Sequence, residues 1–376
     1  MPVPEEQFRN FLLRRSSYLY QLENQAIQNM LIPYQQALPA MKRQLEVLQS
    51  EATTGFTKEW RIQRMKGQVA EVEFLLQVAG QQSSSELRSM LQDLAYLDSD
   101  VYARMLDSQF SKIGIDIASL PYRQVDQILN NPLRGIEIGD PAFWNKMNAD
   151  VTNRIRGELT QSIILGEDMG KATNRIIDLS KQKGFGTYST TILAQRAEMI
   201  ARSEIQYVSN QVARQTYTEN QDVLKGMQHS STLDRRTCPA CASLDGKVYL
   251  FKDGDIEAPL LPLHPFCRCC YIPLTKSWEE LGVKVPENKK GEAKAFTGNP
   301  LKDQLTYGQW LKKQPVAVQK EILGPARFEL WDSGQIELKQ MTGRRGILRN
   351  VYPKKGERVP SLQSVSNWQL KELKKE

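Results

Sequence analysis

The sequence predicts a mainly α fold: an N-terminal helical bundle, then a small α+β module, then a short, helical and basic C-terminal region. Three observations carry this reading. Apolar residues recur at three- and four-residue spacing as far as about Tyr217, the period then changes to alternation after Asn220, and all five cysteines fall within the 33 residues from Cys238 to Cys270. With 376 residues and 43.0 kDa the chain exceeds a single core, because typical domains run ~100–200 residues. Turn-rich stretches divide it into 1–140, 141–278 and 279–376. At 40% hydrophobic and 25% charged it is neither collagen-like nor wholly disordered.

The first helix starts at Pro4 with Glu5 and Glu6, carries Phe8, Leu12, Ala26 and Met30 on its stripe, and is expected to stop at Pro33. Further helices follow around Leu45 to Leu48 and Val69 to Val78, interrupted near Thr53-Thr54-Gly55. The Ser83-Ser84-Ser85 run offers N-caps to a strong pattern with Leu87, Leu91, Leu94, Val101 and Met105 on one face. Breakers place a boundary near 131–142, after which 150–180 and 192–217 read as helices. The second contains Ala201-Arg202-Ser203-Glu204, where an exposed Arg–Glu pair would contribute little. Val223 to Thr232 alternates, and Lys247 to Phe251 is β-prone after the Asp245-Gly246 turn, so a hairpin or small sheet is expected. Val285 to Pro300 reads as a linker. Thr306 then caps a short helix through Tyr307, Trp310 and Leu311, and Pro315 opens another that Gly324-Pro325 ends.

The net charge of +7 is uneven: Tyr271 to Glu376 carries 20 Lys and Arg against 12 Asp and Glu, so the chain before it is close to neutral. A basic third can meet nucleic acid or an acidic protein face, and it can equally be a solvated surface. No apolar run approaches the ~20 residues that span a bilayer. Met1 to Asn10 has Glu5 and Glu6 where a secretory leader is basic and then apolar. A soluble, intracellular protein is expected.

In a reducing compartment clustered thiols point to metal binding, and five cysteines cannot all pair. Cys238-Pro-Ala-Cys241 and His264-Pro-Phe-Cys267 are two knuckles, each able to set two donors on one side of an ion, and each has proline second. The 22 residues between Cys241 and His264 exceed the ~12–15 of a C2H2 finger. Cys238, Cys241, His264 and Cys267 are the predicted ligands of a structural Zn2+, with Cys269 in reserve because Arg268 separates it from Cys267 by one residue only. A bare cluster of reduced thiols is the other reading. Nucleophilic catalysis is not expected, since a cysteine nucleophile needs a base and His229 and His264 are the only histidines; no phosphate-binding glycine loop is present either. Asp234, Asp245, Asp253, Asp255 and Glu257 bracket the knuckles, where they could serve a cation, act as a general base or simply make turns.

The ordered set Ala197-Glu-Met-Ile-Ala-Arg-Ser-Glu204, Leu233-Asp-Arg-Arg-Thr-Cys238, Leu244-Asp-Gly246 and His264-Pro-Phe-Cys-Arg-Cys269 resembles the tailed-phage minor head proteins of the Mu F-like head morphogenesis family. The similarity extends to Tyr307-Gly-Gln-Trp310 and Ile322 to Arg327, and so covers roughly 150–340; Ser203 stands where Thr is commoner in the family. The resemblance implies a non-enzymatic minor capsid protein in the virion, at the portal vertex or capsid interior, present in host cytoplasm during assembly. Its implied partners are the portal protein, capsid or scaffolding proteins and packaged DNA, the last through the basic C-terminal third. The alternatives are a zinc-containing nucleic-acid-processing enzyme and a phage-delivered effector.

Overall fold

The computed structural model describes residues 4–51, 58–111, 114–130, 185–251, 258–277, 279–282 and 306–341, with the isolated positions 149, 153, 157 and 161. Its elements are α1 (Pro4–Glu51), α2 (Lys58–Phe110), α3 (Tyr122–Asn130), α4 (Phe185–Glu219), β1 (Leu224–Ser230), α5 (Pro239–Leu244), β2 (Val248–Leu250), β3 (Cys270–Thr275), α6 (Tyr307–Lys312), α7 (Val316–Leu323), α8 (Pro325–Asp332) and a 3-10 turn (Leu338–Gln340). Among the described residues the protein is mainly helical with one three-stranded sheet. The expected boundary at 131–142, the body of the 150–180 helix and the 285–300 linker lie outside the described residues.

Two compact units divide the chain. One comprises 13–103 and 119–212, the other 1–12, 104–118 and 213–376. In the first, Ala26, Met30, Val72, Leu76, Leu87 and Leu94 fill an apolar core. Polar groups are buried among them in matched sets: Arg15 pairs with Asp98, and Glu23 accepts from Arg202 at 2.7 Å and Gln206 at 2.9 Å.

Two expected helix ends are absent. α1 runs through Pro33 and Pro39, although an internal proline removes a ladder hydrogen bond and costs about 3 kcal/mol. Burial of Met30, Tyr34 and Met41 on either side supplies the packing that outweighs it. α2 likewise continues through Ser83 and Ser84, which are buried within the helix and cap nothing. The Ser83 hydroxyl bonds the Ala79 carbonyl one turn back at 2.9 Å and the Met30 carbonyl of α1 at 2.6 Å. Its polarity is thus consumed inside the bundle.

In the second unit β1 is the central strand, antiparallel to both neighbours in the order β2-β1-β3, with Met227 opposite Tyr249 on one side and Pro273 on the other. Proline lacks a ladder donor, so Pro273 fits only because β3 is an edge. Gly226 sits at a bulge, and a Cβ there would meet the β2 backbone, with Leu250 Cα at 2.9 Å. At the end of α4 the Asn220 side chain donates to Thr216 and Ala118 carbonyls and accepts from the Ala118 amide, all at 2.8 Å. This closes the helix terminus and leads directly into β1.

Candidate metal centre

The two knuckles share a sequence pattern and fold differently. In the first, Cys238 is the N-cap of α5: its thiol accepts from the Cys241 amide at 3.4 Å, and Pro239 occupies the first helical position, where no N–H is needed. In the second, the Cys267 amide donates to the His264 carbonyl at 3.1 Å, while Phe266 adopts φ 62°. Proline followed by a positive φ is a type II turn, which ordinarily takes glycine at Phe266. An exposed aromatic there is a strained position in the turn that carries His264 and Cys267.

The turns gather the predicted donors into two overlapping groups, not one, with Cys267 placed beside the reserve Cys269. Cys238, Cys241 and His264 form one triad and Cys241, Cys267 and Cys269 another, each with its donor atoms within 4.8 Å of one another, so that Cys241 belongs to both. His264 Nε2 lies 3.1 Å from Cys238 Sγ and 3.2 Å from Cys241 Sγ, and Cys241 and Cys267 sulfurs are 3.7 Å apart. Zinc–sulfur bonds of about 2.3 Å in a tetrahedron set sulfurs about 3.8 Å apart. The Cys241–Cys267 separation already has that value. No disulfide joins any of the cysteines.

The surrounding bonds prepare a cation site. His264 Nδ1 lies 2.7 Å from the Pro265 carbonyl, which can only accept, so Nδ1 carries a proton and Nε2 faces the thiols. Hydrogen bonding with Cys241 holds the Cys238 thiol down to about 4 and Cys267 to about 2, while Cys241, whose single proton lies among these sulfurs, is pushed up. Bonding to Cys238 raises His264 to about 9, so without an ion Nε2 also holds a proton toward the thiolate, and its lone pair becomes available only when a metal displaces that proton. Thiolates gathered in this way attract a cation, which would displace the remaining protons. The Cys/His groups can hold a metal.

Cys269 differs from the others. It is buried against Ser231 Oγ at 3.6 Å, and that hydroxyl donates to the Cys241 carbonyl at 2.8 Å. Cys270 begins β3, its thiol pushed up to about 12 by burial. Among the carboxylates, Asp234 is paired with Arg268 through both oxygens, at 2.5 and 2.8 Å. Asp245 does make the predicted turn, with Gly246 at φ 76°, but its half-buried carboxylate also accepts from the Ser231 and Tyr307 amides at 2.8 and 2.7 Å. Asp253, Asp255 and Glu257 lie outside the described residues. His229 is buried on β1 against the Tyr271 ring, lowered to about 4 by desolvation.

Residues 153–272 match the family model of the Phage Mu protein F like protein. This segment is Mu F-like. The Mu F-like segment contains β1, α5, β2, both knuckles and every cysteine, and it stops before α6. The similarity read from the sequence beyond residue 272 is outside that match. No curated protein and no solved structure matches the chain. A phage head morphogenesis protein is the class this family indicates.

Sequence reasoning missed Glu204. It is buried on α4, and desolvation lifts its carboxyl to about 8. Its neighbour Arg202 pairs instead with Glu198 at 2.9 Å and with Glu23. No spacing signal distinguishes a buried glutamate in a helix whose residues 204–213 are all buried.

Proposed function

We propose that the protein is a structural, non-enzymatic component of a tailed-phage head, acting at the portal vertex and capsid interior during assembly and DNA packaging or delivery. The observation that carries this reading is the Mu F-like match over the one segment that also holds the metal centre. In this reading Cys238, Cys241, His264 Nε2 and Cys267 close on one Zn2+ and Cys269 stays outside. Four protein donors fill a tetrahedron, and such a site staples a small module without a place for a catalytic water.

The use made of the groups an enzyme would need supports the structural role. Asp234 and Asp245 are engaged in folding contacts, His264 faces thiols, and buried His229 has no hydrogen-bond partner for Nε2 among the described residues. The expected partners are the portal protein, capsid or scaffolding proteins, and packaged DNA through the basic C-terminal third. No helix among the described residues is long and apolar enough to cross a membrane. The test is co-purification with portal protein from infected cells together with mass spectrometry of virions. Presence in both is expected, and reproducible absence from both would overturn the reading. Metal-dependent DNA cleavage by the purified chain, lost in His264→Ala, would favour an enzyme instead.

A further inference from the structure

The segment 306–341 is folded against the first knuckle. Thr306 caps α6 through a reciprocal pair of bonds with Gln309, and this fixes Tyr307 at the first helical position. Tyr307 is fully buried and contacts both ends of the segment carrying Cys238 and Cys241. Its hydroxyl donates toward the Asp234 carbonyl at 3.0 Å and the Thr237 carbonyl at 3.3 Å, one residue before Cys238. Its amide donates to Asp245, which follows α5, and the other Asp245 oxygen accepts from Ser231.

The packing agrees with the bonding. Ala242, the residue after Cys241, belongs to one buried cluster with Tyr307, Leu311, Leu323, Phe328, Trp331 and others of α6 to α8 and the 3-10 turn. Gly308 lets Leu338 approach so closely that a Cβ would stand 3.1 Å from its Cδ1. Arg235 and Glu321 add an exposed ion pair at 2.5 Å, of little energetic weight. α5 has only six residues and could not hold its own geometry.

We propose that residues 306–341 form a clamp whose Tyr307 positions the first knuckle, so that metal occupancy and clamp docking are one coupled equilibrium. This rests on the zinc reading above. Loss of the ion frees the Cys238–Cys241 turn, which removes the platform under Ala242 and the carbonyls that Tyr307 binds. By linkage, undocking the clamp weakens the metal by the same factor. The clamp leads into a stretch with nine Lys and Arg against three Glu after Met341, so the metal would govern how that charge is tethered.

The experiment uses the full chain loaded with Zn2+ or with Co2+, whose absorption reports tetrahedral thiolate ligation. Hydrogen exchange is compared before and after chelation, and metal affinity is measured by chelator competition. Chelation is expected to deprotect 234–245 and 306–341 together. Tyr307→Phe keeps the ring and removes the hydrogen bond that the hydroxyl shares between two carbonyls, so about tenfold weaker metal retention is expected. Leu311→Asp, which undocks the clamp outright, should weaken it further while exchange in β1 and β3 stays slow. Exchange in 306–341 that ignores chelation, or equal affinity in wild type and Leu311→Asp, overturns the clamp and leaves the zinc reading standing. A wild-type chain with no bound zinc and no cobalt spectrum overturns both.

Discussion

His264 and Cys269 show how much a single hydrogen bond decides at the residue scale. The C-x2-C and H-x2-C spacing was legible because donor chemistry is written in residue type. Which of Cys267 and Cys269 completes the site was not, since the fold sets both beside Cys241, with Ser231 next to Cys269 just after β1. Cys238→Ser or Cys241→Ser is expected to abolish the proposed zinc and unfold 233–271, whereas Cys269→Ser and Cys270→Ser should retain about one zinc per chain by elemental analysis. Loss of metal in Cys269→Ser, with retention in His264→Ala, would reassign the fourth ligand. Glu204 gives a separate expectation. An acid whose folded pKa is raised to about 8 holds a proton that the unfolded chain releases above about 4.5, so stability falls as pH rises through that window. Glu204→Gln should therefore raise the thermal midpoint at pH 8, by roughly 2–4 kcal/mol in stability, and leave it unchanged near pH 4.5. Equal effects at both pH values would mean that the buried carboxyl is not protonated on folding.

At the scale of elements, periodicity revealed where helices lie and failed at their ends. The capping box at Thr306, the stop at Gly324 and the strand at Leu224–Ser230 were readable because each depends on residues adjacent in sequence. Pro33 and Ser83 misled because their effect is set by a neighbouring helix: Ser83 finds its partner 53 residues away, at Met30. β3 was missed for a related reason, as Pro273 and Cys270 obscure a strand that exists by pairing with β1. Tertiary partners override local preference in all three. The same logic makes the buried Arg15–Asp98 pair a sensitive point of the first unit, with side chains 7% and 0% exposed. Asp98→Ala leaves a buried guanidinium without its partner and is expected to cost about 3–5 kcal/mol in denaturant unfolding. The double variant Arg15→Met/Asp98→Leu should recover most of it. In the sheet, Gly226→Ala would drive a methyl into β2, and deprotection of Val248–Leu250 in hydrogen exchange is the expected sign.

Across the whole molecule the charge is arranged in sequence as the fold is. The stretch before Tyr271 is near neutral and the remainder strongly basic, with the densest part following the clamp. A nearly neutral helical surface suits docking to protein, and a basic end suits a compartment filled with DNA. On the proposed head role, phage lacking this protein are expected to assemble capsid shells but to yield heads defective in DNA content or infectivity, because a minor component would not be the shell's building block. Failure to form shells at all would contradict that role. Binding of the isolated chain to DNA is expected to be weak and indifferent to sequence, since Lys and Arg would neutralise phosphates without reading base edges. Its affinity should then fall steeply with salt, the slope changing by about 0.9 for each phosphate contact removed. Truncation after Met341 keeps Leu338 and Met341 in the buried cluster of the clamp while deleting nine basic residues, so it separates charge from fold. A flatter salt dependence with unchanged metal content is the expected result. An unchanged slope would place the DNA contacts elsewhere, and a preference for one sequence over another would exclude phosphate neutralisation as their basis.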